Sequence, residues 1–312
     1  MRIGYYKLNT LLSDALTKED KNGMYKEFLL LYRLLKDNSA IIKDEVVLLD
    51  KINLKSNDYY DAIFVLNGII TDNVIEEIIN IKKHTNKMFY ILTDLRLVPP
   101  ENIINLFEII YAMTIFPITK TQMQCYSKMQ ELPLYGANIE TINYFYDNFD
   151  KKQKLFIFGG GFKNRKEKII DYILNNNFEY YGKGELNGKF FDNRVSINEY
   201  YDLLGKTKYS IAIADKENNE TGFVTWRYYE NILKGVITFI DFEYDKFDLI
   251  ELDKEAKEFL RVKNGNELIK KINILESNAD LRQNILYAQR KLITINKING
   301  RNIYNQLMNW RN

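Results

Sequence analysis

The chain has 312 residues, 46% of them hydrophobic and 28% charged, with a formal net charge of +2. That length allows two domains with sizeable cores, and the balanced charge carries no global basic field of the kind that advertises nucleic acid. One cysteine, Cys125, excludes an internal disulfide framework, and one histidine, His84, leaves little for a Ser-His-Asp or Cys-His mechanism or for a His/Cys zinc site.

In chain order, Arg2 to Tyr6 reads as a strand, and the opening MRIGYYKLN has no apolar signal core, so a cytoplasmic protein is expected. No apolar run approaches a membrane span. Lys26 to Lys36 carries Phe28, Leu31, Tyr32 and Leu35 at helical spacing. Strands are expected at Glu45 to Leu49, Ala62 to Leu66 and Met88 to Leu92, with a helix over Asn73 to Lys83 and a polar turn around His84. Two prolines after TDLRLV prevent a helix from continuing. The polar stretch DNFDKKQK, residues 147 to 154, reads as a linker. A second α/β unit follows. It has a strand at Leu155 to Phe158, a glycine turn, a helix over Lys163 to Asn175 and strands at Phe178 to Tyr181 and Tyr209 to Ala214. A short helix spans Tyr200 to Leu204, a helix carries Arg227, and a last strand runs from Val236 to Ile240. After residue 265 the chain reads as helical. Apolar strands alternating with helices predict mostly parallel sheets covered on both faces, with ligands at the carboxyl ends of strands in a cleft between two halves.

Four places could carry chemistry. In GFVTWRYYENILKG, Arg227 and Glu230 lie three apart and share a helix face. The Arg can neutralise a diphosphate and the Glu can accept two sugar hydroxyls, as a nucleotide-sugar pocket needs; an exposed ion pair is the plainer reading. In LFIFGGGFKNRKEKII a strand runs through Gly159 to Gly161 into a basic helix start at Lys163 and Arg165, a plausible diphosphate cradle or simply a tight turn. It lacks the endings of a P-loop or a dinucleotide fingerprint. Asp94 lies just past an apolar strand, placed either as a general base or as a cap or partner of Arg96. Asp215 ends the strand YSIAIA, as a sugar ligand or a loop acid.

Taken together and in order, these segments resemble the bacteriophage DNA β-glucosyltransferases of the T-even phages. FYILTDLRLVPP resembles YYLFTDIRLP of that family, FGGGFKNRKEK resembles YGGSFRSGQRESK, IAIADKENNETGFVTWRYYE resembles a stretch ending FITLRVWE, and GVITFIDFEYD resembles a strand ending LIDEEFD. YGANIE is a weaker echo of QGINLD. The likeness spans most of the chain. It implies the GT-B fold, an α/β architecture of two Rossmann-like domains facing a central cleft, with C-terminal helices. The domains expected are residues 1–150 for the acceptor, 151–290 for the UDP-sugar and 291–312 as a helix returning to the first domain.

The resemblance further implies an inverting glycosyltransferase moving a sugar, taken as glucose, from a UDP-sugar to the hydroxymethyl group of a modified pyrimidine, taken as 5-hydroxymethylcytosine, in double-stranded phage DNA. A GT-B enzyme acting on a cell-surface glycan, spore glycan or small molecule is the alternative. Asp94 is implied as the base that activates the acceptor, with Glu27 near the sugar. Gly160, Gly161, Lys163, Arg165, Asp215, Arg227 and Glu230 are implied around the donor. No cofactor and no metal ligand is expected beyond Mg2+ as an activator; the expected state is a monomer away from membranes. Gly161 stands where the family has Ser, Lys163 where it has Arg, and the loop before Arg165 is two residues shorter.

Overall fold

The computed structural model describes residues 1–8, 31–32, 35–36, 43–66, 71–92, 99–112, 128–132, 139–221, 224–295 and 300–311. They fall into two units. In the first, β1 (Arg2–Lys7), β2 (Glu45–Leu49), β3 (Ala62–Leu66), β4 (Met88–Leu92), β5 (Ile109–Ala112) and β6 (Met129–Glu131) form a sheet in the order β2-β1-β3-β4-β5-β6. Every neighbouring pair is parallel. β3 and β4 are buried along their whole length, which is why they are apolar without alternation. One face of the sheet presents Ile63, Val65 and Tyr90 to Val74, Ile78 and Ile81 of the helix Asp72–Lys82. On the other, Phe64 and Phe89 are register partners and stack with ring centroids 4.9 Å apart. Trp310 lies 5.9 Å from Phe89.

Trp310 belongs to a segment that returns from the far end of the chain, the helix Gly300–Leu307 and the turn Asn309–Arg311. Lys87 Nζ donates to the Trp310 carbonyl at 3.0 Å and the Tyr304 hydroxyl to Asp44 at 2.9 Å. Arg311 and the Met1 amine meet the same Asp44 carboxylate.

In the second unit, β7 (Lys154–Gly159), β8 (Glu179–Tyr181), β11 (Thr207–Ala212), β12 (Ile237–Asp241) and β13 (Arg261–Val262) form a parallel sheet in the order β13-β12-β11-β7-β8. Between β8 and β11, β9 (Lys183–Leu186) and β10 (Lys189–Asp192) make an antiparallel hairpin. Each sheet therefore has its first strand flanked by its second and third, so the winding reverses direction beside that first strand. Open α/β sheets bind ligands at such a reversal, beyond the carboxyl ends of the strands. In the second unit this point lies between β7 and β11.

The unit boundaries differ from the sequence reading of 1–150, 151–290 and 291–312. The helix Ile139–Asp147 and the turn Phe149–Lys151 pack with the second unit. The Tyr146 hydroxyl donates to the Ile232 carbonyl at 2.8 Å, and Phe149 sits edge-on to Tyr209. Lys152, taken as part of a solvated linker, is buried and donates to the carbonyls of Lys234 and Gly235, each at 2.7 Å. At the other end, the helix Ala279–Ile295 stays with the second unit, where the Gln289 amide donates to Val236 and accepts from the Thr238 N–H. The helix expected over Lys163 to Asn175 is a 3-10 turn, one α turn and a five-residue π segment, Ile170–Leu174. The helix expected over Lys26 to Lys36 falls largely outside the described residues.

Candidate functional site

The reversal point of the second sheet is where the expected donor residues gather. β7 ends at Gly159, and at Gly160 the backbone takes φ +155°, which side chains disfavour. A Cβ there would also lie 2.6 Å from Arg165 Nη2. Glycine at 160 thus lets the Arg165 side chain fold back over the turn. Its Nε donates to the Gly161 carbonyl at 2.9 Å and its Nη1 to the Ile213 carbonyl, just past β11, at 2.7 Å. The guanidinium also sits over the Phe158 ring. One arginine therefore ties the two strand ends that flank the reversal point.

The helix Trp226–Leu233 brings in the second cation. Gly235, at φ +61°, ends that helix and turns the chain into β12. Arg227 Nη1 lies 3.6 Å from Glu230 Oε2, and the Arg227 guanidinium rests on the Tyr200 ring at 5.1 Å. Glu230 is 4% exposed and accepts from the Tyr201 hydroxyl at 3.2 Å. Burial, and then the neighbouring Arg227 cation, pull Arg165 below the ordinary arginine range, while the buried Asp215 acts in the opposite sense. Arginine stays protonated under this influence. Two guanidinium groups close enough to feel one another, each holding a planar array of N–H donors, form a place for a multiply charged anion.

The glycine turn contributes less than its sequence suggests. The Gly160 N–H is spent on the Tyr181 carbonyl at 3.0 Å and the Phe162 N–H on the Lys183 carbonyl at 3.3 Å. The Arg165 N–H closes on Phe162. These three N–H groups pin the turn, two of them to β8 and β9, and the Arg165 and Arg227 side chains bring positive charge. Lys163 opens the 3-10 turn Lys163–Arg165. Asp94 and Glu27 lie outside the described residues. Among the described residues no three His, Cys, Asp or Glu side chains converge as a metal site. No described helix is long and apolar enough to cross a membrane.

Sequence reasoning missed Tyr200 and Tyr201, both on the helix Ile197–Gly205. Their sequence signal was only a pair of aromatics at the start of an expected short helix. The contacts with Arg227 and Glu230 come from packing across 27 or more residues.

No protein-family model and no curated protein matches the chain. Solved structures do. The BGT of phage T4 in complex with UDP and Mn2+ is 18% identical, with 99% of each chain covered and a TM-score of 0.64. The same phage's BGT in complex with its UDP-glucose substrate is 17% identical over 99% of each chain, with a TM-score of 0.66. A DNA-modifying β-glucosyltransferase, solved with and without uridine diphosphoglucose, is 18% identical over 99% of each chain, with a TM-score of 0.65. This chain has the GT-B fold. Its two parallel sheets and its C-terminal helices follow that architecture from end to end.

Proposed function

We propose that the protein is an inverting glycosyltransferase that takes a sugar from a UDP-sugar, with UDP-glucose the first choice, and passes it to the hydroxymethyl group of a modified pyrimidine in phage DNA. The observation that carries the reading is the Arg165–Arg227 pair at the reversal point of the second sheet, with Glu230 and Asp215 beside it. A UDP diphosphate offers the negative charge that two arginines select, and it gains a further charge when the sugar departs. Stabilisation concentrated on that developing charge accelerates transfer. Glu230 would hold the ribose hydroxyls. Gly160 and Gly161 would let the diphosphate approach, Lys163 would add a third cation, and Asp215 would contact the sugar. Asp94, in the segment after β4, would take the acceptor proton as the hydroxyl attacks the anomeric carbon, with Glu27 near the sugar. A base within a duplex is poorly placed for this attack, so the target nucleotide would leave the stack. The T4 structures, which hold UDP or UDP-glucose, support the donor class. On this reading the enzyme works as a monomer in the cytoplasm of the infected cell, with Mg2+ at most an activator.

The direct experiment supplies labelled UDP-glucose with hydroxymethylcytosine DNA or plain DNA and follows the label. Label on the modified DNA alone is expected; label on neither, with UDP-glucose nonetheless bound, would reject the acceptor. Asp94→Ala should cut transfer by about 10²–10⁴-fold, the usual worth of a general base, while leaving UDP affinity unchanged. Unaltered turnover would reject the base. The net charge of only +2 favours a second reading, the same chemistry on a glycan or small-molecule acceptor. Turnover with such an acceptor and not with DNA would select it.

A further inference from the structure

Arg165 and Arg227 are held in different ways. Arg165 gives Nε and Nη1 to the carbonyls of Gly161 and Ile213. The Arg227 side chain makes no hydrogen bond among the described residues, and Glu230 Oε2 stands 3.6 Å away. A long side chain left to itself samples many rotamers, and ordering it on a ligand lowers affinity. The contact that orders Arg227 is the Tyr200 ring, whose centroid lies 5.1 Å from the guanidinium carbon.

Tyr200 is itself fixed by its surroundings. It lies on the helix Ile197–Gly205, where the Ser196 hydroxyl caps the first turn by accepting the Glu199 N–H at 3.3 Å. That helix packs on β7. The Tyr200 ring reaches over Gly159, the last residue of β7. A Cβ at position 159 would fall 2.5 Å from Tyr200 Cε2 and 2.7 Å from its hydroxyl oxygen. Glycine at 159 thus makes room for the ring beside the reversal point. Tyr201, next in the chain, donates its hydroxyl to Glu230 at 3.2 Å. One helix therefore touches both members of the Arg227–Glu230 pair.

The Tyr200 hydroxyl has no part in this. It is buried without a hydrogen-bond partner among the described residues, and a buried polar atom left unmet is destabilising. What meets Arg227 is the ring. A guanidinium over an aromatic face is attracted by the ring quadrupole, and a contact through its plane leaves the N–H groups on its rim free. A hydrogen-bonding partner would occupy some of them, as two carbonyls do at Arg165.

We propose that Tyr200 is the positioning residue for Arg227, its ring a platform that orders the guanidinium for a diphosphate while leaving its donors free. The proposal rests on the donor reading above and adds to it a residue that acts on UDP only through Arg227.

Calorimetric titration with UDP tests it in the wild type, Tyr200→Phe, Tyr200→Leu, Arg227→Ala and the double variant Tyr200→Leu/Arg227→Ala. Tyr200→Leu should weaken UDP by about three- to ten-fold, the range of a cation–π contact. Tyr200→Phe keeps the ring and should bind UDP as the wild type does. It should also melt no lower, because it loses a hydroxyl that was unmet. With Arg227 already replaced by Ala, Tyr200→Leu should have no further effect on UDP, since the interaction it removes is gone. Should the Leu variant fail to fold, Tyr200→Met, adaptable in packing and without a ring, takes its place in the cycle. Additive losses in the double variant would make Tyr200 a direct nucleotide contact. Affinity lost in Tyr200→Phe would assign the effect to the hydroxyl, and unchanged affinity in Tyr200→Leu would leave the ring without a role. Each of these three results overturns the platform and leaves the donor reading standing. A wild type that binds no UDP overturns both.

Discussion

Two buried carboxylates of the second unit, Asp245 and Glu230, have opposite surroundings. Asp245 accepts the Leu249 and Ile250 N–H groups at 2.7 and 3.2 Å and pairs with Lys257 at 2.7 Å. Lys257 in turn donates to the Ile250 carbonyl and pairs with Asp248. Charge and hydrogen-bonding capacity are met between the loop and the helix Lys254–Leu260 that follows it. Glu230 stands 3.6 Å from an arginine whose side chain, among the described residues, makes no hydrogen bond. The first arrangement spends its charge on holding the loop that follows β12. The second keeps five N–H donors of Arg227 in reserve beside a buried acid. The Asp245 charge thus serves stability, and the Arg227 guanidinium is available for binding.

The contrast breaks most visibly at the saturated pair. Lys257→Ala should cost up to about 3–5 kcal/mol of stability, because it removes the near partner of buried Asp245 and leaves only Arg261 at 3.9 Å. Chemical denaturation measures this, and UDP affinity of the folded protein should stay as it was. A loss under 1 kcal/mol would mean that Asp245 is not a structural charge. Arg227→Ala reverses the pattern. The dissociation constant for UDP should rise by about 10- to 100-fold, as for a lost charge-assisted hydrogen bond, with little change in melting temperature. A fall in stability without a fall in affinity would put Arg227 in the first class.

Lys152 sharpens the comparison from the side of a buried cation. Burial, and then the nearby Lys234 cation, pull it down to about 7. An unfolded lysine titrates near 10.4, so between these values the unfolded chain holds more protons and stability rises with pH. The cost is fully present below pH 7 and is relieved as pH increases. The wild type should gain about 1–2 kcal/mol between pH 7 and 9 relative to Lys152→Met, in which the slope is absent. Parallel stability curves for the two proteins would remove Lys152 as the cause. The smallest effect belongs to Glu230→Gln, which keeps an acceptor for Tyr201 and should weaken UDP about three- to ten-fold with stability held.

Much of the fold was legible in the sequence, for reasons that are local. Glu45–Leu49, Ala62–Leu66 and Met88–Leu92 occur at the bounds their apolar runs predict; β3 and β4 are buried along their whole length and need no other pattern, while β2 is a partly buried edge strand. β5, with four residues, and β13, with two, are too short to show a period. The β9–β10 hairpin was missed despite a signal. Asn187 and Gly188 both have positive φ, the pairing that favours an Asn-Gly hairpin turn, but the flanking strands are charged and largely exposed. The linker reading failed because KKQK looks solvated, whereas the Lys152 stem reaches two carbonyls some eighty residues away. At the site, the glycines and Arg165 stood out by composition. That Gly160 makes room for a folded-back guanidinium, and Gly159 for the Tyr200 ring, depends on contacts no spacing announces.

The return of residues 300–311 to the first unit has a consequence for synthesis. The ribosome releases Asp44, Lys87 and Phe89 early, yet their partners Tyr304, Arg311 and Trp310 emerge only after the whole second unit has been made. The first sheet must wait with one aromatic face uncovered until residues 300–311 emerge, so its nascent form is a natural client for chaperones.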